Sequence, residues 1–250
     1  MKLKVLRADP AGNITLFVLS PVEKNEYADV ANRLMALPQF AAEQVGYIHD
    51  GRMDMEAGEF CGNASRAYGM LVARQQGISG EVQVEVSGCD HPLSVFVTET
   101  AASCEMPLPL WVRQVGVKGK TCTLVHLGGI AHLIVENVPP SETFFAAAEP
   151  IFRKMAELEA YGVIFLDGEK MRPLVKVPAT DTLFWEGSCG SGTLAAQIAR
   201  CEGLPDGVYG GAFIQPAGTV TAEVTRHDGK IVSAKIGGPV MLDQAIEIEI

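Results

Sequence analysis

Residues 61–67 read Cys-Gly-Asn-Ala-Ser-Arg-Ala, and residues 189–195 read Cys-Gly-Ser-Gly-Thr-Leu-Ala. Cysteine, glycine and the final alanine coincide, and most other positions are small or polar in both copies. A run of helical character follows each, Tyr68 to Arg74 and Leu194 to Ala199, and each run meets a glycine, Gly77 or Gly203. Cys61 and Cys189 are therefore predicted at helix N-termini, where unpaired backbone N–H groups and the helix dipole favour an anion. A thiol in that place is expected to ionise more readily than a free cysteine, whose pKa is about 8.5. A single cysteine of this kind is most simply a small buried hydrophobe. The second copy, in the other half of the chain, changes that balance.

Three chemistries use two facing cysteines. Disulfide exchange normally places them in one CxxC motif, which this sequence lacks. Metal binding, with His126 or His132 as further ligands, lacks a supporting Cys/His spacing, and no metal is expected. The third is proton transfer: one thiolate removes a proton from a carbon acid and the opposite thiol returns one to the other face, as inversion of a stereocentre requires. The N–H groups of Gly62 and Asn63, and of Gly190 and Ser191, would then hold a substrate carboxylate and the enolate-like charge that develops. No GxGxxG or GxxxxGK pattern is present, and no cofactor is needed for such chemistry.

The elements that must position these residues follow the same order in each half. Gly12–Val18 echoes Gly129–Val135. In the first half, strands are predicted at Lys2–Val5 and Ile14–Leu19, with a turn over Asp9–Asn13. A helix follows over Glu26–Leu37, with Asn25 as N-cap and Pro38 closing it. Next come a strand over Glu43–Ile48, a polar turn region over Gly51–Gly58, the Cys61 helix, and strands Glu81–Val86 and Leu93–Glu99. The second half reads as strands Thr121–His126 and His132–Val135, and a helix from Ser141 over Glu142–Leu158 that Pro150 should kink or split. Strands Gly162–Leu166 and Leu174–Val177 lead to the Cys189 helix. Both cysteine helices are apolar nearly all round, which indicates burial on every side. The expected fold is α/β, with two pseudo-symmetric domains, each a curled sheet about a central helix, and the active site in the cleft between them. The domains are placed at 1–115 and 116–250, and the C-terminal strand, about 241–250, is a candidate to return to the first.

The 250 residues carry 48% hydrophobic side chains and a net charge of −10. That size suffices for one large or two modest cores. The acidic balance argues against nucleic acid and anionic membrane surfaces as partners. No signal-peptide pattern or membrane-length apolar run is found, and six scattered cysteines do not make a disulfide scaffold, so a reducing cytoplasm is expected. Cys89, Cys104, Cys122 and Cys201 read as packing residues.

The paired motifs resemble those of the cofactor-independent two-cysteine racemases and epimerases, typified by diaminopimelate epimerase and proline racemase. The resemblance spans the chain. It implies two similar α/β domains with the site between them, a small amino-acid substrate, and commonly a homodimer. It implies acid–base roles for Cys61 and Cys189, and substrate contacts for Asn13, Gln44, Asn63 and the 190–192 backbone. His132 is similar to a histidine that the family places near its first cysteine, a possible thiolate partner. The segment before the second cysteine, Thr180 to Ser188, lacks the arginine with which diaminopimelate epimerase clamps a distal carboxylate. Glu186 and Glu43 instead offer acceptors for a cationic group. The blocks Glu43-Gln-Val-Gly46, Glu59-Phe-Cys-Gly-Asn-Ala64, Trp185-Glu-Gly-Ser-Cys-Gly-Ser-Gly-Thr193 and Gln215-Pro-Ala-Gly218 are most similar to the histidine-racemase branch that serves opine-metallophore biosynthesis. Histidine racemisation is the activity so implied. Epimerisation of another amino acid, or a thiol redox or metal-binding role for the same pair, is the alternative.

Overall fold

A computed structural model describes residues 1–155 and 158–250. The fold is mixed α/β and dominated by sheet. It divides into one unit of Met1–Glu105 with Gly237–Ile250 and a second of Met106–Ile236. Position 115, the boundary read from sequence, lies within a strand of the second unit.

In the first unit, β1 (Lys2–Asp9) pairs antiparallel with β2 (Thr15–Val18) and, on its other side, with the C-terminal segment Ile246–Glu249. Helix α1 (Tyr27–Met35) carries the chain from β2 to β3 (Gln44–His49), which lies parallel to β2. Parallel neighbours cannot be joined by a tight turn, so a crossover helix is the natural connection. A 3-10 turn over Lys24–Glu26 precedes α1, so Asn25 lies within that turn; Glu26 stands at the cap, without a side-chain bond. Strand β4 (Arg52–Met55) returns antiparallel to β3, inside the stretch expected to be only a polar turn. Helix α2 (Gly62–Gln76) then crosses to β5 (Gly80–Val86), parallel to β4, followed by antiparallel β6 (Leu93–Val97) and β7 (Ala101–Glu105). Leu3, Val5, Leu16, Val30, Leu34, Val45 and Tyr47 form the core under α1. Helix α2 packs on β5, β6 and β7 and is buried along nearly its whole length.

In the second unit, β8 (Trp111–Val117), β9 (Lys120–His126) and β10 (Ile130–Glu136) form an antiparallel series. Helix α3 (Glu142–Phe152), capped by Ser141 Oγ on the Phe144 amide, leads to β11 (Ala160–Asp167), parallel to β10. Pro150 does not split α3, which runs unbroken through it. It sits in the final turn, where its missing N–H costs one bond just before the helix ends at Phe152. Of the expected continuation toward Leu158, residues 156 and 157 lie outside the described part. Strands β12 (Lys170–Val177) and β13 (Thr182–Trp185) follow antiparallel. Helix α4 (Gly190–Cys201) crosses to β14 (Gly207–Ile214), which meets β12 in parallel at one position and pairs antiparallel with β15 (Thr219–His227). Helix α4 packs on β9, β10, β11, β14 and β15, and Leu194, Ala195, Ala196 and Ile198 are fully buried. No helix among the described residues is long and apolar enough to cross a membrane.

Candidate active site

Each cysteine caps its helix by the same construction. Cys61 has φ −127° and ψ 109°, and its Sγ accepts from the Ala64 amide at 3.4 Å. Cys189 has φ −122° and ψ 109°, and its Sγ accepts from the Gly192 amide at 3.3 Å. The sulphur thus does what a serine or aspartate oxygen does at an N-cap, satisfying one orphan donor of the first turn. The hydroxyl four residues on closes the turn from the other side. Ser65 Oγ donates to the Cys61 carbonyl at 2.8 Å, and Thr193 Oγ1 donates to the Cys189 carbonyl at 2.6 Å. Gly62 and Gly190 occupy the first helical position in each case and are buried.

Around Cys61 the polar groups form a connected set. Asn13 Oδ1 accepts from Gln44 Nε2 at 2.9 Å and from Asn63 Nδ2 at 3.2 Å, while Asn13 Nδ2 donates to Glu43 Oε2 at 2.7 Å. Gln44 Nε2 also donates to Thr15 Oγ1 at 2.8 Å, and the Gln44 amide hydrogen-bonds the Cys61 sulphur. The structure therefore brings Asn13, Glu43, Gln44, Asn63 and Cys61 together, although they come from the β1–β2 turn, the start of β3 and the tip of α2. Burial raises the Glu43 carboxyl above the ordinary carboxylate range, against the lowering bond from Asn13.

Around Cys189, Ser191 Oγ lies 3.6 Å from the thiol and 2.9 Å from His132 Nε2. His132 is fully buried and its pKa is pushed down to about 3 by desolvation, so the ring is neutral. Glu186 hydrogen-bonds the Cys189 thiol and raises it. Gln215 was not foreseen as a site residue. Its Oε1 accepts from the Cys189 amide at 2.7 Å and its Nε2 donates to Thr193 Oγ1 at 2.9 Å, which locks the cap. The Gln-Pro-x-Gly block was the available signal for it.

The expectation that both thiols ionise easily is overturned. Burial raises Cys61, and the bonds from the Ala64 and Asn63 amides and from Gln44 only oppose it. Burial raises Cys189 well above the ordinary thiol value, helped by the Glu186 carboxylate and opposed by Ser191 and the Gly192 amide. The helix-terminal field acts in the expected sense, but losing water around the sulphur outweighs it. His126 stacks on Trp111 at 5.0 Å between ring centres, and desolvation lowers its pKa. Among the described residues, the grouping of three metal-ligand side chains is Asp206, His227 and Asp228, which is exposed and includes neither cysteine.

Residues 2–244 match the family described as histidine racemase CntK N-terminal domain. The chain belongs to this histidine racemase family. A histidine racemase of Fusobacterium nucleatum is 32% identical over 220 residues, covering 81% of this chain and 83% of the relative. One from Staphylococcus aureus is 27% identical over 245 residues, covering 85% of each. Membership in the histidine racemase family makes the chain an isomerase of the amino-acid racemase type. Solved structures share its fold. A hydroxyproline epimerase from Agrobacterium vitis with bound trans-4-hydroxy-L-proline has a TM-score of 0.62 at 12% identity, over 99% of this chain and 92% of that one. A phenazine biosynthesis protein of the PhzF family from Enterococcus faecalis has a TM-score of 0.65 at 13% identity, over the whole of both.

Proposed function

We propose that this enzyme is a cofactor-independent histidine racemase in which Cys61 and Cys189 are the acid–base pair. The observation that carries the reading is the duplicated cap: two sulphurs, each held by the third amide of a buried helix, each beside its own set of hydrogen-bonding side chains. In the proposed reaction one sulphur, as thiolate, takes the Cα proton of the bound amino acid. The electron pair delocalises into the substrate carboxylate, and the other sulphur, as thiol, donates its proton to the opposite face of Cα. The first thiolate becomes a thiol, the second thiol a thiolate, and the pair is ready for the reverse direction. The amides of Gly62, Asn63, Gly190 and Ser191 are assigned to the substrate carboxylate and the developing enolate. Because burial favours the neutral thiols, one must shed a proton before turnover; Glu186, which hydrogen-bonds the Cys189 thiol, is the proposed acceptor.

Histidine is proposed over other amino acids for two reasons. The relatives in sequence are named for it. Glu43 and Asn13 supply acceptors for an ammonium or imidazole N–H, while the segment before Cys189 has no arginine for a second carboxylate. The test is incubation of the purified protein with a panel of L-amino acids in deuterated buffer, scored by chiral chromatography and mass spectrometry. D-Histidine should appear with one deuterium at Cα. Faster turnover of alanine, proline or diaminopimelate would remove the substrate assignment, and no turnover of any would remove the racemase reading.

A further inference from the structure

Arg66 lies in α2 one turn beyond Cys61 and is fully buried. Its Nε donates to Asn63 Oδ1 at 3.2 Å, one terminal nitrogen donates to the Gly238 and Pro239 carbonyls at 3.0 and 2.9 Å, and the other donates to the Pro10 carbonyl at 2.7 Å. Every one of these acceptors is a neutral oxygen. A buried cation held this way is costly to retain, and a hydrophobic side chain would fill the space more cheaply. Burial lowers its pKa only to about 10, so it is charged at neutral pH.

The guanidinium can only donate, and this sets the direction of everything beyond it. The Asn63 atom facing Arg66 must be the oxygen, so the Asn63 amide nitrogen faces Asn13. The Asn13 atom it meets must in turn be the oxygen, which leaves the Asn13 nitrogen to donate to Glu43. The chain begins at a group that only donates and ends at a carboxylate that only accepts. Both amides are thereby held in one orientation, with no freedom to flip. Arg66 also anchors the backbone that carries Asn13. Its bond to Pro10 grips a turn in which Ala11 adopts φ 61° and Gly12 φ 91°, and a non-glycine residue in that region is held only by its surroundings.

We propose that Arg66 is a positioning residue for substrate binding: it fixes the turn bearing Asn13 and the amide orientation of Asn63 and Asn13, so that Glu43 meets the cationic group of the substrate in one geometry. This rests on the histidine racemase reading given above. Arg66 itself touches neither the substrate nor the reacting atoms in this scheme.

The experiment compares wild type with Arg66→Lys and Arg66→Met by kcat and KM for L-histidine, thermal melting, and carbon-13 NMR titration of the Glu43 carboxyl. Lysine keeps the charge but not the fork that reaches three segments at once. With Arg66→Lys folded, KM should rise about tenfold or more while kcat stays within about threefold, the signature of lost ground-state binding. Glu43 should also titrate higher than in wild type, because the Asn13 donor that lowers it is no longer held in place. A residue that only staples the fold would lower the melting temperature and leave both readouts unchanged; that outcome overturns the proposal. If Arg66→Met fails to fold, the lysine variant decides alone. If wild type racemises no amino acid, the functional reading fails, and the Glu43 titration still judges the Arg66 network separately.

Discussion

His132 Nε2 stands 2.9 Å from Ser191 Oγ, and that same hydroxyl stands 3.6 Å from Cys189 Sγ. The other ring nitrogen, Nδ1, is buried and has no hydrogen-bond partner among the described residues. Gly162 explains how the ring fits: a Cβ there would lie 3.1 Å from Nδ1. Buried N–H groups without a partner are rarer than bare acceptors, so the proton belongs on Nε2. His132 then donates to Ser191, and the serine proton is directed at the sulphur. The resemblance implies a histidine near the first cysteine; the hydrogen bond that His132 makes leads instead, through the Ser191 hydroxyl, to Cys189.

Replacing Ser191 by alanine should remove the side-chain donor that lowers Cys189. A hydrogen bond to a charged group contributes about 1.5–3 kcal/mol, so racemisation should fall roughly ten- to hundredfold near neutral pH. The alkaline rise of the rate should move to higher pH, since the lost bond favoured the thiolate. An unchanged pH–rate profile in Ser191→Ala would show that the hydroxyl does not serve the sulphur.

A neutral buried histidine also shapes stability in acid. The His132 pKa is depressed from 6.5 to about 3 in the fold. In the unfolded chain the ring binds a proton below about pH 6.5, whereas in the folded chain it does not until about pH 3. The stabilising contribution is therefore complete above pH 6.5 and is lost progressively as pH falls toward 3, reaching several kcal/mol. His132→Gln, which keeps a donor for Ser191 but cannot titrate, should flatten the acid limb of stability against pH measured by urea unfolding. Parallel acid limbs for the two proteins would count against the buried neutral ring.

The two cysteine caps, the Gly77 stop and the burial of α2 and α4 were legible because they depend on local chemistry written in the sequence. Gly77, for instance, takes φ 66° and closes α2 as its position suggested. Strand β4 was hidden because Arg52 and Asp54 give it the look of a turn; they bond to each other, Asp54 also bonds His49, and both neighbouring strands satisfy its backbone. Asn25 looked like a cap because composition does not show that a 3-10 turn precedes α1. The thiols depart from expectation for a related reason: the helix tip is written in the sequence, but the burial that raises the sulphurs is a property of the folded chain. Arg66 has no counterpart in the second copy, where Leu194 stands, so the repeat gives no sign of it.

The raised thiols carry their own signature at high pH. Unfolded cysteines ionise above about pH 8.5, while Cys61 and Cys189 stay protonated in the fold beyond that point. The fold's preference for the neutral thiols is fully present below pH 8.5 or so and is lost as pH rises through their folded values. Melting temperature should therefore decline above about pH 8.5, and less steeply in Cys189→Ala, where one such group is gone. Racemisation should climb through the same range rather than level off below neutrality. An activity plateau already reached at pH 6 would restore the expectation of easily ionised thiols.

Gly69 shows how closely α2 must approach its sheet. A Cβ at this position would lie 2.4 Å from Cγ1, 2.7 Å from Cβ and 2.9 Å from Cγ2 of Val95. Val95 is fully buried on β6 and β-branched, so it has no free rotamer into which to withdraw. Alanine is the better helix former by about 1 kcal/mol, and in an exposed helix the change would stabilise. Here the clash opposes it, and overpacking of this kind costs about 1–3 kcal/mol. Gly69→Ala should therefore be neutral to destabilising by denaturant midpoint, and should lower kcat as α2 and its Cys61 cap are displaced. Combining it with Val95→Gly, which removes all three contacting atoms, should recover part of the catalytic loss. A stabilised Gly69→Ala with full activity would show that the helix can stand further from the sheet without disturbing the sulphur at its tip.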